Sequence, residues 1–361
     1  MRNPFYKIGS FLLLLSFFAV SCTSDDRETP KEETPPSGDY AQGIFILNEG
    51  GFGYSNASVS FLDAAGQVYN SIYSNVNNTN LGDTAQSMGF EGDNAYIVVN
   101  NSSTIEVVNR NSFQHIATVS NMIVNPRYIV FEGNKGYISN WGDPNNINDD
   151  YVAVLNLETN LVEAKISVAE GPEKLLIHNG KIYVAHKGGY GYGNTVSVVD
   201  IASQSLLASI PVADVPDGMV IKNGLLYVIS SGKPSYTQDE TVAKLFSINL
   251  ENNNVENVQA FPQGKHPRHL ELENDALYYV MDNNVYTMSL NDFQLSQTPL
   301  FDSTSDGVEL LYGFKVNQGN IYIADAKDYV SNGEVFIYNL TGDLQQKHTV
   351  QIIPNSFYFN N

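Results

Sequence analysis

The sequence predicts an all-β fold, a seven-bladed β-propeller, and three observations carry that prediction. Tyrosines that centre short apolar strands recur at positions 96, 137, 183, 227, 278 and 322, at intervals of 41, 46, 44, 51 and 44 residues. A period of ~40–50 residues with several short strands per unit is the mark of a propeller. Pro126, Pro172, Pro216 and Pro267 each stand eleven residues before one of these tyrosines, and Ala85 and Leu311 hold the same frame before Tyr96 and Tyr322. Finally, the two chain ends carry complementary halves of one further unit. Residues 44–47 fit a second strand with no inner strand before it, and residues 354–359 fit an inner strand with nothing after it. A ring of seven blades pairs these halves, so that the C-terminal strand completes the first blade and no sheet edge stays open. Six or eight blades would leave one half unpaired.

In chain order, Arg2 and Lys7 precede an apolar run over residues 11–20, the n-region and h-region of a signal sequence and too short to span a bilayer. The run ends in Ala19-Val20-Ser21-Cys22, which has the form of a bacterial lipobox. Residues 1–21 are therefore expected to be a lipoprotein signal peptide, and Cys22, the only cysteine in the chain, its lipidated residue. With no second thiol, no internal disulfide can form, and stability must come from core burial. Residues 22–40 read as a disordered acidic tether. They carry Asp25, Asp26, Glu28, Glu32 and Glu33 with Pro30, Pro35 and Pro36, and cannot bury enough apolar surface to offset their chain entropy. Ser24-Asp25-Asp26 resembles the surface-export signal of Bacteroidota lipoproteins, which implies a lipid anchor in the outer membrane, facing outward. Residues 41–361 are expected to form the propeller.

Each repeat reads as four strands, clearest in the fourth. An inner strand starts at Pro172 and ends near Ile177, and His178-Asn179-Gly180 turns it. Residues 181–185 follow, with Ile182 and Val184 on one side and Tyr183 on the other. After a glycine-rich loop come a third strand, 195–200, and an outer strand, 205–212. Similar hairpin signals recur at Asn223-Gly224 and Gly319-Asn320.

The formal net charge of −20 opposes nonspecific binding to nucleic acid, which needs clustered Lys and Arg. It suits a neutral or cationic ligand, unless a local basic patch reverses the field.

A propeller brings the starts of its inner strands and the loops after its second strands to one face. The inner-strand starts supply Asp83, Gln86, Arg127, Glu173, Lys174, Asp217, Arg268 and His269. These fit either a self-neutralising ring of ion pairs or a ring of donors and acceptors around a ligand. The loops supply Glu49, Phe52, Tyr54, Trp141, Asp143, His186, Tyr190, Tyr192, Tyr236, Asp325 and Tyr329. Aromatic residues in glycine-rich loops are not needed for blade packing, and such loops usually carry function. The glycine-rich stretches are not phosphate loops, since no helix follows them. Together these residues suit a large, flat, partly apolar ligand with a polar rim; sugars fit the same description.

Catalytic and metal chemistry find little support. His266 and His269 share one loop, without a carboxylate spacing that would enforce metal geometry. The Asp143–Asp150 segment is rich in oxygen ligands but lacks EF-hand spacing and reads as a solvated turn. No Gly-x-Ser-x-Gly motif or catalytic cysteine is present. No metal, no other cofactor and no enzymatic activity are expected.

The units GPEKLLIHNGKIYVAHKG and VPDGMVIKNGLLYVISSG resemble the repeats of YncE-like seven-bladed propellers, over roughly residues 42–359. The lipobox, the acidic tether, IFILNEGGFG and LGDTAQSM together resemble the BtuG-type surface lipoproteins. That resemblance implies capture of cobalamin and its transfer to a TonB-dependent outer-membrane transporter, with the corrin ring over the channel mouth. A glycan- or protein-binding propeller and a propeller lyase or hydrolase are the alternatives.

Overall fold

In the computed structural model, which describes residues 40–360, the chain forms seven four-stranded antiparallel sheets. The expected signal peptide, Cys22 and all but the last residue of the tether lie outside the described residues. The second strands are Gly43–Asn48, Asn94–Val99, Lys135–Asn140, Lys181–His186, Leu225–Ser230, Ala276–Met281 and Asn320–Asp325. Their inner neighbours, in the same order, are Pro354–Asn360, Ala85–Glu91, Pro126–Glu132, Pro172–His178, Pro216–Lys222, Arg268–Glu273 and Leu311–Asn317. The C-terminal strand thus completes the first blade: Ile44 faces Phe359, Phe45 faces Tyr358 and Ile46 faces Phe357.

The tyrosine period has a packing cause. Each repeat tyrosine is the third residue of its second strand, and Phe45 holds that slot in the first blade. Pleating turns this position toward the following blade. Tyr183 therefore packs with Met219 and Leu226 of blade five, while Ile182 and Val184 pack with Tyr137 and Val152 of blade three. The buried apolar residues form one cluster for each of the seven blade-to-blade interfaces. The one between the last and first blades joins Tyr322, Val335 and Val350 to Ile46, Leu62 and Phe357. No interface is missing, so the ring is closed.

Asn360 reinforces the closure. Its side-chain amide donates to Tyr40 O at 2.5 Å, and its Oδ1 accepts from Arg110 Nε at 2.6 Å. Arg110 in turn lies 4.5 Å over the Phe90 ring of blade two.

The hairpin chemistry holds with one shift. Asn179-Gly180 and Asn223-Gly224 have positive φ at both residues, as a type I′ turn requires. In the last blade the pair is Gln318-Gly319, one residue before the expected Gly319-Asn320, and Asn320 opens the strand. The outer strands of blades one and six shrink to Val68–Tyr69 and Phe301–Asp302. The segment before the latter, NDFQLSQTPL, lacks period-2 alternation and contains Pro299, so it cannot extend the ladder. No helix among the described residues is long and apolar enough to cross a membrane.

Candidate functional site

All seven inner strands carry a β-bulge near their start, one or two residues after they begin. The residues left without a ladder partner are Gln86, Arg127 with Tyr128, Glu173 with Lys174, Asp217, His269, Tyr312 and Asn355. A bulge re-aims its side chain, and here every one of these residues lines a single cavity of about 350 Å³ at one end of the axial channel. Loop residues Glu49, Phe52, Asn100 and Lys187 complete it, with Thr84, Arg268 and Ser356 beside the bulges.

The bulges are built at a cost. Thr84, Asn125, Gly171, Val215 and Ile353 immediately precede inner strands and have φ between 48° and 65°. For β-branched Thr84, Val215 and Ile353 that conformation costs roughly 1–3 kcal/mol each. Gly313 follows the bulge in the last blade because a Cβ there would stand 2.4 Å from Asn355 O.

The charges at the mouth are mostly paired. Arg127 grips Glu173 through two parallel bonds, Nε to Oε2 at 2.9 Å and Nη2 to Oε1 at 2.8 Å. Burial works against its charge, but Glu173, helped by Tyr128 and Glu49, holds the guanidinium pKa above its usual value. Trp141 supports the pair from outside: its ring lies 4.0 Å from the guanidinium carbon, and its Nε1 donates to Pro172 O at 3.0 Å. Asp217 accepts from Lys187 Nζ and from the His269 amide, both at 2.7 Å. Burial would raise its pKa, yet Lys187, His269 and Lys174 together hold it well below the usual carboxylate range. Glu49 accepts from Tyr312 Oη at 2.9 Å and from Asn355 Nδ2 at 3.0 Å. Neither donor is a cation, and burial raises the Glu49 pKa. The His269 imidazole is pushed down to about 3, chiefly by burial and then, against the pull of Asp217, by Lys174, Arg268 and Lys187.

Below the mouth the channel widens to a second chamber of about 590 Å³, lined by apolar side chains such as Met88, Leu175, Met219 and Phe314. Tyr128, Lys174, His269, Asn355 and Ser356 border both chambers and form the waist between them.

Of the residues expected at the site, Glu49, Phe52, Gln86, Arg127, Glu173, Asp217 and Arg268 line the mouth. Trp141 stands behind Arg127, and Tyr190 packs edge-on against Trp141 with ring centroids 5.6 Å apart. Tyr329 packs in the same way against Tyr312, at 5.8 Å. Tyr54, Tyr192 and Tyr236 are exposed on loops outside the cavity. Four expectations need correction. His186 is buried inside its blade, between Glu170 O at 3.3 Å and Ser197 Oγ at 2.8 Å, and burial pushes its pKa down to about 4. Asp325 is fully buried and accepts the amides of Glu309, Leu310 and Lys327. Asp83 is buried and accepts from the Gly53 amide and Thr84 Oγ1. Asp143 caps its own exposed turn through the Asn145 amide. All four hold backbone or neighbouring side chains and do not face the cavity.

Tyr128, Tyr312 and Asn355 also belong to the mouth, and sequence reasoning placed none of them there as binding residues; Lys187 joins them from the glycine-rich loop that also carries Tyr190 and Tyr192. Tyr312 and Asn355 were discoverable: each follows the residue that takes the frame-proline position, Leu311 or Pro354. In blade six the bulge falls one residue late, on His269. Among the described residues, no three His, Cys, Asp or Glu side chains come together as metal ligands would.

Several solved structures share this fold. A quinonprotein alcohol dehydrogenase-like protein from Bacteroides thetaiotaomicron superposes with a TM-score of 0.68 at 13% identity, over 90% of this chain and 79% of that one. A functionally unknown protein from Desulfotomaculum acetoxidans gives 0.65 at 11%, over 88% and 98%. The computationally designed Ika8 protein gives 0.59 at 11%, over 90% and 92%. At such identities the likeness concerns the fold alone. No curated protein matches the sequence. A family model does match, over residues 42–317, from the first blade through the inner strand of the last. The chain belongs to that family, the domain of unknown function DUF5074.

Proposed function

We propose that the protein is a non-enzymatic binding protein, lipid-anchored at the outer membrane through Cys22, that holds a large ligand across the channel mouth and passes it to a TonB-dependent transporter. The observation that supports this best is the rim. Phe52, Tyr54, Tyr190, Tyr192, Tyr236 and Tyr329 are 47–80% exposed, all on second-strand loops of the face where the polar cavity opens. Large aromatic surfaces left in water around a cavity mark a binding face. A cavity of about 350 Å³ sits at the small end of ligand sites, which run to about 1,000 Å³. A large ligand therefore lies over the mouth and sends only a side arm into it. Cobalamin, the ligand implied by the resemblance to BtuG-type lipoproteins, has this shape: a flat ring with amide arms.

Calorimetric titration with cobalamin tests the reading. Saturable one-to-one binding is expected, weakened about two- to tenfold in Phe52→Ala, in line with ~0.5–1.5 kcal/mol for one aromatic contact. Phe52 is 75% exposed, so its truncation leaves the fold intact. Absence of binding by the wild type would end the cobalamin reading.

A further inference from the structure

The mouth is a cationic spot in an acidic protein. Arg127, Lys174, Lys187 and Arg268 face three carboxylates, Glu49, Glu173 and Asp217, against a whole-chain charge of −20. The pairing leaves two cations over. Both oxygens of Glu173 are taken by Arg127, both of Asp217 by Lys187 and the His269 amide, and both of Glu49 by Tyr312 and Asn355. Among the described residues, Lys174 has no ion-pair or hydrogen-bond partner, and Arg268 has no carboxylate. Arg268 uses one of its five N–H donors, Nη2, on Leu311 O at 2.9 Å. Both cations border the cavity, and both are close enough to His269 to oppose its protonation.

We propose that the channel mouth is an oxyanion site, in which Lys174 and Arg268 receive a single carboxylate or phosphate group carried by the ligand. Charge-assisted bonds to such a group are the strong kind, and a guanidinium fork matches its geometry. The site is a local basic patch of the kind that can reverse the field of an acidic protein, because Arg127, Lys174, Lys187 and Arg268 gather at the mouth. It rests on reading the mouth as the ligand site, and it names which end of the ligand enters. Glu49 sets the opposing charge: it is the one mouth carboxylate with no cation bonded to it.

The test titrates inorganic phosphate, and separately acetate, into the full chain at constant ionic strength. Two readouts apply: the emission of Trp141, the only tryptophan, stacked on Arg127, and the rise in melting temperature that any ligand of the folded state produces. Saturable binding of at least one anion is expected. Lys174→Met and Arg268→Gln should each weaken it about tenfold, and Glu49→Gln, which removes a negative charge, should strengthen it roughly several-fold. Lys174→Met breaks no hydrogen bond or ion pair among the described residues, and Arg268→Gln keeps a donor for Leu311 O, so both variants should fold. Tighter phosphate points to a phosphorylated ligand and tighter acetate to a carboxylic acid; either supports the site. No saturable response in either readout, or equal affinity in wild type, Lys174→Met and Arg268→Gln, overturns it. Phosphate binding without cobalamin binding would sink only the cobalamin reading; cobalamin binding unaffected by both variants would sink only the anion site.

Discussion

Removal of residues 354–361 is expected to abolish cooperative folding of the whole propeller. The deleted strand supplies the inner edge of blade one, paired from Gly43↔Asn360 to Asn48↔Pro354. It places Phe357 in the cluster that joins the last blade to the first, with Phe359 packed against it, and packs Tyr358 against the one that joins the first blade to the second. Phe357 is buried and Tyr358 and Phe359 are partly so; at ~1.5–3 kcal/mol for full burial and less for partial, they form a large share of the ~5–15 kcal/mol that stabilises a typical domain. Asn360 and its bonds to Tyr40 and Arg110 leave with them. A chemical denaturation curve with no folded baseline is the expected result. A truncated chain that unfolds cooperatively within about 2 kcal/mol of wild type would contradict it.

Arg127→Ala should cost about 3–5 kcal/mol, far more than a surface ion pair at ~0–1 kcal/mol. The side chains of Arg127 and Glu173 are only 13% and 6% exposed, so the variant strands a buried carboxylate that had both oxygens satisfied. It also removes the cation from the Trp141 ring. The double variant Arg127→Met/Glu173→Met leaves no charge unpaired and should recover much of the loss. Urea denaturation of the three proteins measures the effect. A single-variant cost below about 1 kcal/mol would mean that water still solvates Glu173.

These expectations show what the sequence made visible. The architecture was legible because Tyr96, Tyr137, Tyr183, Tyr227, Tyr278 and Tyr322 plug successive blade interfaces, and that packing demand recurs with the repeat. The closure was legible because residues 44–47 and 354–359 are two halves of one pattern. The mouth was legible only in part. Charged Arg127, Glu173 and Asp217 advertised themselves, whereas Tyr312 and Asn355 occupy the same slot without charge and passed unnoticed. His186 and Asp325 misled for a physical reason. They stand at the ends of second strands, where a buried polar side chain can hold the neighbouring loop as readily as it can meet a ligand. Pairing decides between those roles, and pairing depends on neighbours far apart in sequence.

The central claim is that seven inner-strand bulges, spread over residues 86–355, act as one binding surface. Hydrogen exchange with and without a saturating ligand tests it most directly. Slowed exchange appearing together in the peptides that cover the inner-strand starts, from Gln86 around to Asn355, is the expected result. Protection confined to the outer strands, or to a single blade, would contradict the account.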